Sequence, residues 1–362
     1  MSHDLETQRL QDAEPGAADA AALTPNPSPE TVKTPFIFTG KGGEYFRIWI
    51  VNLLLTIVTL GIYSAWAKVR NKQYFYANTS VDDATFSYHA DPKKILLGRL
   101  IAGAFFLLYL GAEYISLALS AVMFAVFLLV LPWVVCKALR FNAANSAYRN
   151  VSFQFRGTMA ESYKAFLLWP LAGALTLGVL FPFAVYKQQH FIAGRHSYGD
   201  TPFEFTASLG RYYRIYLVLA GIVVLGLVAA FSVGMLSSMI GAAIGVVLVP
   251  FVIMALYLLL FAGHQAMMAN ARYQHLSLNA HRTDSDWDTL GYAWLLVTNT
   301  LGIALTFGLF IPWAKVRAAR YKAKHTWCLV AGNLDGMVAD QQSRKGSVGE
   351  GMSDFFGIDV GI

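Results

Sequence analysis

Five short segments of the chain share one pattern: an aromatic residue or leucine, any residue, an aromatic or leucine, any residue, then glycine or alanine. They are Phe36-Ile-Phe-Thr-Gly40, Phe86-Ser-Tyr-His-Ala90, Phe153-Gln-Phe-Arg-Gly157, Phe203-Glu-Phe-Thr-Ala207 and Leu276-Ser-Leu-Asn-Ala280, and each stands before a long apolar stretch. Units that recur along a chain bury one continuous core with their copies or line one symmetric pathway. A repeat-built architecture is therefore expected before any single residue is interpreted.

The stretches between the motifs point to a bilayer as the solvent. Hydrophobic residues make up 56% of the chain and charged residues 14%, and the mean hydropathy is +0.46, outside the balance of a soluble domain. A hydrocarbon core of ~30 Å needs about 20 helical residues to cross it. The runs Ile48–Trp66, Ala165–Tyr186 and Leu290–Trp313 each have roughly that length. The runs Ile95–Cys136 and Ile215–Ala262 are about twice as long and read as two packed spans each, with turns near Glu113–Ser116 and Ser237–Ser238. The expected fold class is mainly α: a polytopic helical membrane protein with internal repeats and short surface β segments between the helices.

The single blocks also match one another in detail. Asn52, Thr59, Gly61 and Trp66-Ala-Lys-Val-Arg70 recur at constant spacing as Asn299, Thr306, Gly308 and Trp313-Ala-Lys-Val-Arg317. The middle block keeps Thr176, Gly178 and Lys187 at the equivalent places, with Phe183 for the tryptophan and Trp169 for the asparagine. Asn78-Thr79, Asn145-Ser146 and Asn270-Ala271 each stand eight residues before Phe86, Phe153 and Leu278, and in the first two cases a polar turn leads into an alternating pair, which is a strand signal. The expected organisation is a disordered, cytoplasmic N-terminal tail over 1–35, a transmembrane domain over 36–331 (repeats 36–152 and 153–275, partial repeat 276–331), and a flexible C-terminal tail over 332–362.

The run Gly40-Lys-Gly-Gly-Glu-Tyr-Phe46, followed by Asn52-Leu-Leu-Leu-Thr56, Thr59-Leu-Gly-Ile-Tyr63, Trp66-Ala-Lys-Val-Arg70, Tyr74-Phe75 and Ala77-Asn-Thr79, resembles the YjgN family of bacterial inner-membrane proteins. The likeness extends from about Phe36 to Trp327. It implies a multi-pass protein of the bacterial inner membrane with a conserved domain of unknown function, and brings no substrate, cofactor or catalytic residue with it.

Nearly every connection between apolar blocks is basic, and basic segments mark the cytoplasmic side. If each single block crosses once, half of these connections lie in the periplasm. If each dips in and returns, all five motifs share the cytosolic side, and the Thr-Leu-Gly or Thr-Phe-Gly within each block offers the break. Both readings stand at the level of sequence.

The candidate polar intramembrane site is Asn52, Asn299, Thr59 and Thr306. An amide among apolar residues is costly unless bonded, so the paired asparagines would either hold a polar substrate or join helices, while a threonine hydroxyl can bond its own helix one turn back. Lys68, Arg70, Lys315, Arg317 and Arg320 are candidate contacts for anionic lipid headgroups, each worth about 1 kcal/mol near a charged surface. Glu44 and Glu161 precede equivalent blocks, where a carboxylate suits a helix start. The only cysteines, Cys136 and Cys328, form no redox or metal pair, and the histidines share no ligand spacing. No zinc, nucleophile-elbow, dinucleotide or phosphate-loop motif occurs.

The expectation is a non-enzymatic membrane protein without metal or cofactor that transports or handles a small molecule or lipid. Its partners would be membrane lipids and not nucleic acid. The alternative is a scaffold or assembly factor that binds other membrane proteins. Oligomeric state is not readable from the sequence.

Overall fold

The computed structural model describes residues 31–332. They form five consecutive units of one kind, each a strand, a pair of antiparallel helices and a returning strand. The first comprises β1 (Thr31–Pro35) and β2 (Ile37–Phe38), α1 (Gly42–Val58), α2 (Ser64–Ala77) and β3 (Thr79–Val81). The second is β4 (Ala84–Tyr88), α3 (Pro92–Ile115), α4 (Leu117–Ala144) and β5 (Ser146–Tyr148). In the third, β6 (Val151–Phe155) leads to α5 (Met159–Tyr163), a π-helical turn (Lys164–Leu168) and α6 (Trp169–Leu175), then α7 (Phe181–Gly194) and β7 (His196–Tyr198). The fourth is β8 (Thr201–Phe205), α8 (Leu209–Ile240), α9 (Ala242–Tyr273) and β9 (Leu276–Leu278). The fifth is β10 (His281–Ser285), α10 (Thr289–Leu305), α11 (Ile311–Lys324) and β11 (Thr326–Ala331). The fold is mainly helical with short strands, as the sequence predicts.

All eleven strands belong to one antiparallel sheet in the order β1-β11-β10-β9-β8-β7-β6-β5-β4-β3-β2. Its two ends, β1 and β2, are consecutive in the chain. The segment from Thr31 to Phe38 therefore pairs with β11 through its first half and with β3 through its second, and Phe36 N–H donates to Thr326 O (3.2 Å) at the join. The sheet is a ring closed where the first strand, β1, pairs with the last, β11. Residues 31–35, expected within the N-terminal tail, are instead the strand that closes it; residues 1–30 and 333–362 lie outside the described region.

Tight turns set the register. Asp82-Asp83 and Arg149-Asn150 link their strands with both residues at positive φ (47° and 54°, 46° and 62°), as two-residue turns that match strand twist require. This register corrects the fifth motif. Leu276–Leu278 is the returning strand β9, equivalent to β3, β5 and β7, so Thr283, Ser285 and Trp287 occupy the places of Phe203, Phe205 and Ala207. The motif lost its aromatics here and gained a tryptophan where its copies carry glycine or alanine. Asn270 is likewise an α9 residue, not a counterpart of Asn78 and Asn145, which end α2 and α4.

Each single apolar block reverses on itself. At Thr59-Leu60-Gly61, Thr176-Leu177-Gly178 and Thr306-Phe307-Gly308 the middle residue has φ of 49–51° and the glycine 92–93°. The glycine N–H donates to the carbonyl five residues back (Thr56, Gly173, Ile303; 2.7–2.8 Å), a helix stop that glycine adopts with little strain. Each threonine hydroxyl donates one turn back (Leu55, Ala172, Gly302) and accepts from the amide four residues on (Tyr63, Leu180, Phe310). One side chain thus ends one helix and starts the next. Leu60, Leu177 and Phe307 at these tips are 95%, 96% and 98% exposed.

The double blocks are pairs of long helices: α3, α4, α8 and α9 are each long and apolar enough to cross a membrane. The first pair turns at Ser116, whose hydroxyl accepts from Leu119 N (3.1 Å). The second turns at Gly241 rather than at Ser237–Ser238. Those serines remain helical, donating to the Gly234 and Met235 carbonyls (2.8 and 2.7 Å). Neighbouring units meet through α2 with α3, α4 with α5, α7 with α8, α9 with α10, and α11 with α1, which completes the circuit.

At that last seam Gly42 lies against Trp313, and a Cβ there would overlap the indole. Gly42→Val is expected to cost about 1–3 kcal/mol through overpacking. Thermal unfolding in detergent measures it, with Gly43→Val, which meets open space, as the control that stays near the parent value.

Candidate functional site

The interior of the strand ring is packed. Val81, Tyr148, Val151 and Tyr198 are buried there with Phe36, Phe86, Phe153, Phe203, Leu278 and Cys328 against them. Phe36 stacks on Phe86 (6.3 Å) and Phe153 on Phe203 (6.4 Å). Tyr148 donates its hydroxyl to Val81 O (2.8 Å) and Tyr198 to Tyr148 O (3.0 Å), which satisfies both phenols inside the plug. The first aromatic of each of four motifs is thus a wall of this plug. Burial pushes the Tyr148 and Tyr198 phenols and the Cys328 thiol up to about 12.

Above this aromatic floor, on the helix side, is a cavity of about 610 Å³. All five units line it through equivalent positions. Counting back from the first residue of each returning strand (Thr79, Ser146, His196, Leu276, Thr326), the residues four and three earlier are Phe75-Tyr76, Asn142-Ala143, Ile192-Ala193, Arg272-Tyr273 and Lys322-Ala323. The backbone repeats and the chemistry does not. Arg272 and Lys322 come from adjacent units, Phe75 and Ile192 flank them, and Asn142 belongs to the remaining unit.

Among the described residues, none of those lining the cavity is acidic. Arg272 donates through Nε and Nη2 to Gln189 Oε1 (3.1 and 2.9 Å). One turn further from the floor Lys72 Nζ donates to Asn142 Oδ1 (2.6 Å). Burial holds the Lys72 ammonium below its usual range, with Lys68 adding repulsion, and lowers Lys322 in the same way, with Arg272 adding to it. His196 is also lowered, chiefly by burial, with the Ile192 carbonyl opposing and Arg272 adding to it.

The residues expected to form a polar site lie elsewhere and are not joined to one another by any hydrogen bond described. Asn52 is 3% exposed and donates to Asn71 Oδ1 (3.3 Å) across its own hairpin, while its Oδ1 is buried without a partner. Asn299 donates to Ala314 O (3.4 Å) and accepts from Arg317 Nη1 (2.8 Å), whose Nη2 reaches Thr298 (2.9 Å). Each asparagine ties its first helix to its second. In the middle unit Trp169 against Phe183 (4.7 Å) makes the same join without polarity. Thr59 and Thr306 build the tip turns.

The expected headgroup cations divide. Arg320 donates to Gly40 O (3.2 Å) at the closing seam and Arg70 to Tyr63 OH (3.3 Å). Lys315 Nζ stands 5.9 Å from the Tyr45 ring, and Lys68 is exposed. Glu161 completes a capping box with Thr158, and Glu44 pairs with Lys41 (3.7 Å). Sequence reading missed Arg272 and Lys322 because its fifth repeat was out of register. The signal that would have found them is their place four residues before a returning strand.

Four helices long and apolar enough to cross a membrane, three shorter hairpins and a strand ring define a polytopic helical membrane protein of repeated units. The chain belongs to the family of bacterial proteins of unknown function (DUF898), whose model matches residues 33–355. It is similar to the inner membrane protein YjgN of Escherichia coli O157:H7, with 33% identity over 40% of this chain and 37% of that protein. To the YjgN of Salmonella typhimurium it shows 32% identity over 35% of this chain and 32% of that protein. The matched region thus spans about a third of those relatives' length. Relatives and spans together identify an inner-membrane protein. No solved structure matches the chain.

Proposed function

We propose that this protein is non-enzymatic and handles a small molecule or lipid in the axial chamber, with its strand ring on the cytosolic side. The observation that carries the reading is the chamber itself, a cavity to which every unit contributes at one repeat position. Convergence of all copies on one recess is what a ligand site needs. The plug of aromatic and tyrosine side chains blocks an axial route through the strands, which favours binding and exchange with the bilayer over conduction through the ring.

The sidedness rests on charge. Lys93, Lys94 and Arg99, Lys137 and Arg140, Arg211 and Arg214, and Arg272 lie in the portions of α3, α4, α8 and α9 nearest the ring. The distal turns at Ser116 and Gly241 have no lysine or arginine within ten residues on either side. Basic residues resist translocation, so the ring faces the cytosol and the distal turns the periplasm. A helix of 17 residues is ~25 Å long against ~48 Å for one of 32, so the short hairpins enter the hydrocarbon and return, which suits the exposed Leu60, Leu177 and Phe307.

Native mass spectrometry of the full chain, extracted from its own membrane in neutral detergent, tests the reading. A small molecule or lipid is expected to stay bound, with occupancy falling several-fold in Ile192→Trp, which fills the chamber without changing its charge. Equal occupancy in parent and variant overturns it.

A further inference from the structure

The five positions that form the rim of the chamber floor carry Phe75, Asn142, Ile192, Arg272 and Lys322. A repeat kept for packing alone would hold this position to one size and polarity. Here two neighbouring units place cations on it, and the units beyond them place a phenyl ring and a branched alkyl group. The chamber is therefore amphiphilic by direction: basic on the side of the fourth and fifth units, apolar to either flank and across the floor of Phe36, Phe86, Phe153 and Phe203.

The two cations have donors to spare. The bonds of Arg272 to Gln189 use Nε and one Nη2 hydrogen and leave Nη1 free for an acceptor. Among the described residues Lys322 Nζ has no hydrogen bond or ion pair, and it stands 5.9 Å from the centroid of the Trp287 ring. Trp287 is the residue that replaced the small end of the fifth motif. No carboxylate lines the cavity to balance these charges.

A plainer role for both cations is to complement the negative ends of α9 and α11, in whose last turns they sit. That role does not require them. Helices α2, α4 and α7 end at equivalent places with no basic residue in the last turn.

We propose that Arg272 and Lys322 together hold the phosphate of an anionic amphiphile, whose apolar part lies along Ile192, Phe75 and the aromatic floor. A guanidinium matches two phosphate oxygens at once and an ammonium adds a mobile point charge. The assignment rests on the reading of the chamber as the ligand site and names the chemistry that site selects.

The full chain in neutral detergent, titrated with phosphatidylglycerol and analysed by native mass spectrometry, tests it against phosphatidylcholine and inorganic phosphate. The parent is expected to retain phosphatidylglycerol in preference to phosphatidylcholine. The Arg272→Gln, Lys322→Gln double variant is expected to bind it about tenfold more weakly, a loss of about 1.4 kcal/mol. Lys322→Arg keeps the preference. Lys137→Gln, an exposed cation on α4 outside the chamber, leaves it unchanged. Because Lys322 makes no internal bond, Lys322→Gln alone is the variant that keeps the fold, and a partial loss is expected from it.

Undiminished retention in the double variant, or an equal loss in Lys137→Gln, overturns the proposal. So does binding of inorganic phosphate that phosphatidylglycerol does not displace, which would identify a free anion as the occupant. If Ile192→Trp still empties the chamber while the charge variants do nothing, the anionic assignment fails and the handling role stands. If neither change alters occupancy, both fail.

Discussion

Single cysteines at Asp83, Asn150, Asp200 and Ala280 are expected to react together with a membrane-impermeant maleimide from one face of the membrane and not at all from the other. These positions lie in the four tight turns of the strand ring, and a sheet whose longest strand has 6 residues cannot straddle a bilayer, which takes about 9–11 strand residues to cross. If the single apolar blocks were full spans instead, the turns would divide between the two faces. On the proposed orientation the reactive face is cytosolic, so labelling is expected in inverted vesicles and not in intact spheroplasts. Background is low. Cys136 is buried, and burial raises the Cys328 thiol to about 12, which keeps it protonated and slow at neutral pH. A mixed pattern among the four sites rejects the reversing hairpins, and uniform periplasmic labelling rejects the proposed orientation.

Asn270→Ala is expected to destabilise the protein by about 3 kcal/mol, since buried groups left unpaired cost about 1–3 kcal/mol each. The Asn270 amide donates to Trp287 O (2.9 Å) and accepts from Trp287 N and Ser285 Oγ (both 2.9 Å). It thereby fixes the end of β10 and the entry to α10 against α9, and with them the indole that packs on Tyr292 (5.4 Å) and Tyr321 (5.8 Å). Removing it strands a backbone donor, a backbone acceptor and a hydroxyl at once. Ser285→Ala removes one of the three bonds and is expected to cost about 1 kcal/mol. The apparent melting temperature in detergent reads both, and a double variant no worse than Asn270→Ala shows that the serine acts through the amide. An Asn270→Ala melting curve that superimposes on the parent removes the amide from the seam.

Much of the fold is legible in the chain. The double blocks announce paired spans by length, and Thr-x-Gly at one place in each single block announces a stop, because the glycine relieves a positive φ that few other residues tolerate. The paired asparagines also announce themselves as buried amides, although their partners do not: Asn52 takes Asn71, while its counterpart Asn299 takes Arg317, and no spacing rule separates the two. The motif at Leu276 misleads for a physical reason. Its pattern of apolar residues two apart fits either strand of a hairpin, and only the ladder of β9 with β8 and β10 decides which strand it is.

The sequence by itself determined that this is a repeat-built membrane protein, where its blocks break, and which ends of its spans are basic, since hydropathy, turn chemistry and charge act locally along the chain. Only the tertiary structure decided that the strands close into one ring, that residues 31–35 complete it, and that Arg272 and Lys322 line one cavity over an aromatic floor. The reason is distance along the chain. Pairing of Thr31 with Ala331 and convergence of five helix ends on one hollow depend on contacts between segments tens to hundreds of residues apart, and those contacts leave no periodicity in either segment alone.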